Sequence, residues 1–246
     1  HAGTAPRSRA GRGIPVSGEV QWLEPEWPAP PGVRVISTLR QGGSSGGPYA
    51  SMNLAGHVGD VAASVEANRR LLRRAAHLPA EPMWLEQVHG TEVVVHDGRS
   101  DVPRADAAMT RGRGRVCAVL TADCLPVVLA DRAGSRVAVA HAGWRGLAHG
   151  VVEATVRALH CPPTELLAWL GPAIGQNAFE VGIEVRDAFV ARSEQLAGYF
   201  AENERGRVQA DLYGLAPARL AEPGVPAVQG GGGGTASGPQ PRVSFR

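Results

Sequence analysis

Three nearly continuous apolar runs crowd the middle of the chain, at 115–120 (RVCAVL), 125–130 (LPVVLA) and 136–140 (RVAVA), and they constrain its folding more than any other feature. A strand with one face in water alternates polar and apolar residues, whereas a run that is apolar throughout needs cover on both faces. Further strand candidates stand at 32–39, 83–88, 91–96 and 166–170. Helical periodicity appears over 61–77, with Val61, Val65, Leu72 and Ala76 on one face. Arg69, Arg70, Arg73 and Arg74 fall mostly elsewhere, as a solvated face rather than an RNA surface. A second helix is expected over 147–159, with Leu147, Val151, Ala154 and Ala158 on one face, stopped by Pro162 and Pro163. Two more are expected near 184–196 and 212–220. The segment 40–60, rich in Gly, Ser and Asn, reads as a long loop and 171–175 as a short one, so the chain is of mixed α and β type.

Its 246 residues, 43% hydrophobic, fit one large globular domain or two small ones with a sizeable core. A formal charge of +2 argues against a nucleic-acid-binding surface, and all 25 basic residues are arginine. A chain without lysine forms no Schiff base with pyridoxal phosphate and has no P-loop lysine, so an anion must be held by arginine or by backbone amides. Three cysteines, Cys117, Cys124 and Cys161, make no even set for disulfides and point to a reducing, cytoplasmic setting. Residues 1–18 carry Arg7, Arg9 and Arg12 but lack the apolar core of a signal peptide, and read as a disordered leader. No run approaches the roughly 20 apolar residues needed to span a bilayer, so no membrane partner is expected. Nothing in the sequence sets an oligomeric state.

Chemistry concentrates in three short motifs beside the strand candidates: QVHG at 87–90, TADCLP at 121–126 and HAGWRG at 141–146. Each carries a metal-binding side chain: His89, Cys124 and His141. Two imidazoles and a thiolate suit zinc, and three protein ligands leave a tetrahedral position open. The three are too far apart in sequence for a local finger, and spacing alone also fits separately buried residues. Gly90, Gly143 and Gly146 allow close backbone approach, while Asp123 and Arg145 bring charge beside the ligands.

Other residues read more plainly. Cys117 is a small core residue, and Cys161 has a surface or packing role. His57 lines a pocket or belongs to a loop, His149 is structural, and Phe179 and Glu180 either shape a purine pocket or pack a loop. The five glycines at 230–234 have no helix after them to form a phosphate cradle, so 230–246 reads as a flexible tail.

The three motifs, together with GPAIG at 171–175, the stretch 37–60 (STLRQGGSSGGPYASMNLAGHVGD) and DLYGLAPARL at 211–220, resemble the laccase-domain family. Its members are also called YfiH-like, polyphenol oxidase or peptidoglycan editing factor proteins. The resemblance covers roughly residues 18–229, which makes 19–229 the domain. It implies a single α+β domain with mixed β-sheets packed between helices, and a zinc site at His89, Cys124 and His141. It also implies phosphorolysis of adenosine, inosine and methylthioadenosine, with adenosine deaminase activity beside it. Copper-dependent polyphenol oxidation is the alternative. The chain departs from the pattern at its end, where Gly234-Thr235 replaces a Cys-Thr pair and Val243-Ser244-Phe245-Arg246 stands in place of a longer tail.

The physics of the residues ranks these chemistries. Zinc lowers the pKa of bound water to about 7, as deamination needs, and Asp123 is the nearest carboxylate in sequence to move the proton. Phosphorolysis needs phosphate held in line with the sugar carbon, and the guanidinium forks of Arg40 and Arg145 are candidates to grip it. Phenol oxidation needs several coppers and many ligands, but the chain has 8 histidines. One copper with Met52, Met83 or Met109 as distant ligand transfers a single electron. Cys124 as a covalent nucleophile, in a cysteine-type hydrolase editing peptidoglycan precursors, is a separate reading, as is a metal-stabilised interaction module without turnover.

Overall fold

The computed structural model describes residues 19–235. The leader at 1–18 and the last residues of the tail lie outside the described residues.

A six-stranded mixed sheet forms the centre. Its strands are β3 (Val93–Val95), β4 (Ala107–Thr110), β5 (Leu125–Asp131), β6 (Val137–Ala142), β7 (Leu166–Leu170) and β11 (Ala227–Gly230), in the order β11-β7-β5-β6-β4-β3. The two outermost pairs are parallel and the inner pairs antiparallel. A separate ladder pairs β1 (Trp22–Leu23) with β2 (Ser37–Thr38), and a three-stranded sheet joins β8 (Glu180–Val181), β9 (Phe200–Glu202) and β10 (Val208–Ala210).

Two of the three continuous apolar runs, 125–130 and 136–140, lie in β5 and β6 and are explained by cover on both faces of the sheet, whereas 115–120 forms no strand, is half-buried and lines the cavity. Leu125, Val127 and Leu129 of β5, Ala138 and Ala140 of β6 and Leu166, Ala168 and Leu170 of β7 pack under the helices α2 (Trp144–His149), α3 (Val151–Ala158), α4 (Ile183–Val190) and α5 (Leu212–Ala221). Burying each such side chain contributes roughly 1.5–3 kcal/mol. The alternate residues Pro126, Val128, Val137, Val139, His141 and Trp169 line a cavity of about 870 Å³ on the other face. Helix α1 (Ala62–Ala75) and the long 40–60 loop form a further layer, through a cluster of Met52, Leu54, Leu72 and Ala76.

Several expectations are corrected. The run 83–88 is not a strand; a single β-bridge, Met83 to Cys117, joins it to 115–120. Farther along, the Gln87 side-chain amide donates to the Leu120 carbonyl at 2.8 Å and accepts the Leu120 N–H at 2.7 Å, replacing a ladder rung. Of 32–39 only Ser37–Thr38 is strand. Val61 caps α1 and is 65% exposed, leaving Val65, Leu72 and Ala76 as the buried face. The helix expected over 147–159 is two helices, because Gly150 adopts φ 101°, a left-handed conformation that glycine tolerates and that breaks the helical bond pattern. The expected helix over 184–196 ends at Val190 and resumes as a 3₁₀ helix, Glu194–Tyr199. β4 was not expected at all.

The Gly-rich segment is corrected too. Gly230 ends β11, Gly234 bridges to Ala173, and Thr235 is 3% exposed, so 230–235 is part of the folded domain rather than a flexible tail. No helix among the described residues is long and apolar enough to cross a membrane.

Candidate metal centre

Strand register builds the site. Cys124 immediately precedes β5, and the antiparallel pairing of β5 with β6 sets Pro126 opposite His141. Alternation along β6 then places His141 on the cavity face with Val137 and Val139, away from the helices. The adjacent pairing of β6 with β4 sets Ala140 opposite Ala107, bringing Asp106, just before β4, beside His141.

Asp106 is the residue that the sequence reading missed. Fully buried, its carboxylate accepts from His141 Nδ1 at 2.9 Å and from the backbone N–H groups of Val88, His89 and Gly90 at 3.1, 2.9 and 2.7 Å. One carboxylate therefore orients both imidazoles, His141 through its ring and His89 through its turn. His89 itself has φ 59°, in the left-handed region where a non-glycine residue is costly, by roughly 1–3 kcal/mol. The three amide bonds to Asp106 hold it there.

The donor atoms of His89, Cys124 and His141 all lie within 4.8 Å of one another. Cys124 Sγ is 4.0 Å from His89 Nε2, and the two imidazole rings meet edge-on, 4.7 Å between centroids. His141 is buried, Cys124 half-buried and His89 exposed, so the cluster opens on one side. Gly143 makes room for it: a Cβ at that position would come 2.9 Å from His89 Cδ2 and 3.0 Å from Cys124 Sγ. Gly146 allows a second close approach, to the Gly90 carbonyl.

Electrostatics follows from these contacts. Burial disfavours the His141 cation, but the hydrogen bonds to Asp106 and Cys124 outweigh it and raise the pKa to about 9. His89 is lowered, first by burial and then by the neighbouring His141 charge. Burial alone would raise Asp106, yet the His141 bond and the amides win, holding it below the usual carboxylate range. Cys117, expected in the core, is instead half-buried against the Met83 and Leu85 cluster and lines the cavity, and desolvation there pushes its thiol up to about 12.

The other expected residues divide. Asp123, Arg40 and His57 line the same cavity as the three donors. Arg40 spends Nε and Nη2 on the carbonyls of Ala50 and Pro48, which fixes its guanidinium against the 40–60 loop. Arg145 does not line the cavity; it is exposed, stacked 4.4 Å over the Trp144 ring, and its charge helps to lower the His89 pKa. Phe179 packs against the helical core and Glu180 pairs with Arg205, so neither shapes the cavity. Met83 and Met109 are buried in two different core clusters, and Met52 in a third.

The donor set fits a metal: two imidazoles and a thiolate converge, a glycine clears the space, and a carboxylate fixes the Nδ1 of His141 so that Nε2 is presented.

The model of a family described as multi-copper polyphenol oxidoreductase laccase matches residues 34–246. The chain thus belongs to the laccase-domain, or YfiH-like, family. A Pseudomonas aeruginosa protein named purine nucleoside phosphorylase is 54% identical over 212 residues, covering 86% of each chain. The Escherichia coli protein named purine nucleoside phosphorylase YfiH is 50% identical over 210 residues, covering 85% of this chain and 86% of that one. The crystal structure of a Neisseria meningitidis protein superposes with a TM-score of 0.82 at 45% identity, covering 87% of this chain and 88% of that one. The expected α+β fold of mixed sheets and helices is the one observed.

Proposed function

We propose that this chain is a zinc-dependent purine nucleoside phosphorylase, acting on adenosine, inosine and methylthioadenosine, with adenosine deamination as an accompanying activity. The observation that carries the reading is the His89, Cys124 and His141 cluster opening on a cavity of about 870 Å³, in a chain whose relatives are named for this reaction.

In phosphorolysis a phosphate oxygen bonds to the sugar C1′ while the bond to the base breaks, and the base takes that electron pair and a proton. Arg40, held against the loop carbonyls, presents a fixed cation at the cavity wall for phosphate. Asp123, beside Cys124 in the same wall, is the group that moves a proton to or from the base. Arg145 adds positive charge near His89 without touching the cavity. Apolar Val128, Val137, Val139 and Trp169 give the base a dry surface. Zinc held by His89, Cys124 and His141 would supply Lewis acidity at its open position.

Polyphenol oxidation by several coppers is less well supported. Among the described residues, one group of three or more His, Cys, Asp or Glu side chains has metal-binding geometry.

The test is chromatographic product analysis with adenosine, using protein of known metal content, with and without phosphate, alongside Cys124→Ala. Phosphate-dependent adenine that disappears in the variant supports the phosphorylase, and inosine formed without phosphate supports the deaminase. Neither product from folded, zinc-loaded protein would refute the reading.

A further inference from the structure

Six contacts converge where the C-terminal strap crosses the site. Thr235 Oγ1 donates to Asp123 Oδ1 at 2.9 Å. The Thr235 N–H donates to the Ala173 carbonyl at 2.9 Å, and the Ile174 N–H donates to the Asp123 carbonyl at 2.9 Å. The Tyr213 hydroxyl accepts from the Ala173 N–H at 2.7 Å and lies 3.1 and 3.2 Å from the carbonyls of Gly171 and Gly233. Thr235 is 3% exposed, although it follows five glycines that supply no side chain of their own to anchor the strap.

We propose that Thr235 is a positioning residue that holds the Asp123 carboxylate in the cavity wall, with Tyr213 fastening the strap that carries it. The inference rests on the phosphorylase reading for its kinetic consequence, and on geometry alone for the contact. Asp123 has its backbone pinned by the 171–175 loop and its side chain by the strap, so two separate segments fix one carboxylate. The glycines explain how the strap reaches it: Gly230, Gly231 and Gly232 all have positive φ, a path most residues would follow only under strain. At Gly230 a Cβ would also lie 2.4 Å from the Leu170 carbonyl oxygen. In Tyr213, burial raises the phenol to about 12, which keeps the hydroxyl protonated as both donor and acceptor.

The test compares zinc-loaded full-length wild type with Thr235→Val, Thr235→Ser and Tyr213→Phe. Steady-state kinetics is measured on adenosine with phosphate, and amide hydrogen exchange over 121–124, 171–175 and 231–235. Thr235→Val keeps the shape and loses the hydroxyl. It is expected to lower kcat by on the order of ten- to a hundredfold with KM within about twofold, as a displaced catalytic group does. Exchange over 171–175 and 231–235 should quicken, zinc content and Tm should hold, and Thr235→Ser should restore kcat. Tyr213→Phe should shift kcat and exchange in the same direction by a smaller factor. Unchanged exchange in Thr235→Val overturns the proposal, as does a fall in kcat that tracks zinc loss and is not rescued by serine. A wild type that turns over no nucleoside refutes the phosphorylase reading, while the exchange data still decide whether Thr235 holds Asp123.

Discussion

Asp106 Oδ1 lies 2.9 Å from His141 Nδ1 and also 2.9 Å from the backbone nitrogen of His89, so a single oxygen atom ties together two of the three candidate metal donors. Asparagine in its place would put an NH₂ group where only acceptors are wanted. Asp106→Asn should lower zinc affinity about 10–100-fold, as outer-shell partners of metal-binding histidines do. It should also cost about 2–4 kcal/mol of metal-free stability, through lost charge-assisted bonds and a buried donor facing a donor. Chelator competition and urea denaturation check both, and wild-type zinc affinity in the variant would show that Asp106 serves the turn alone.

Gly143→Ala tests the space at the cluster. Its methyl group would sit 2.9 Å from His89 Cδ2 and 3.0 Å from Cys124 Sγ, so the ligands must move apart. Zinc affinity should fall at least about tenfold, while the fold, whose core lies on the other face of the sheet, should lose no more than about 1 kcal/mol. Far-UV circular dichroism with zinc titration separates the two. An alanine variant that binds zinc normally would show that the site has slack.

Acid should loosen the β5–β6 turn. Asp131 is 4% exposed, and burial would raise its pKa, but bonds from Ser135 Oγ, the Ser135 and Arg136 N–H groups and the Arg136 guanidinium lower it. Because the folded pKa lies below the unfolded one, near 3.8, its contribution is fully present above that value and is lost as pH falls through the folded pKa. Asp131→Asn should therefore lower stability at pH 6 by about 1–3 kcal/mol and show a shallower decline below pH 4 than wild type. Denaturation midpoints across that range are the measurement, and parallel curves would disprove the assignment.

Behind the site, Arg219 is fully buried and approaches Glu153 at 2.6 Å, with its other arm on Glu222 at 3.2 Å. Burial raises the Glu153 pKa despite the opposing charges of Arg219 and Arg192. Arg219→Met leaves Glu153 with Arg192 at 3.7 Å and should cost about 3–5 kcal/mol. Adding Glu153→Leu should recover part of that loss, because the uncompensated charge goes with it. If the double variant is less stable than the single, the pair does more than neutralise itself.

What the sequence showed depended on how local each cause was. β5, β6 and β7 were legible because their apolar runs leave no other way to be covered. His89, Cys124 and His141 stood out as motifs, and the family resemblance joined them. Asp106 stayed hidden because β4 is built from Ala107, Ala108, Met109 and Thr110, where small residues give a weak strand signal. A lone acid inside that apolar run was the available clue. Gly150 was read through as helix, since a glycine shows where a break is tolerated but not that one occurs. The docking of 230–235 depends on pairing with β7, a partner distant in the chain.

That pairing also imposes an order of events during synthesis. β11 leaves the ribosome after every strand it completes, at about 5–20 residues per second. Until then the outer edge of β7, five buried residues long, offers unpaired backbone groups to any neighbouring chain. Fragments ending at residue 224 should therefore sediment more readily than fragments ending at residue 235. All three residues of the His89, Cys124 and His141 cluster precede β7, so the whole cluster is synthesised before the strand that closes the sheet edge behind it.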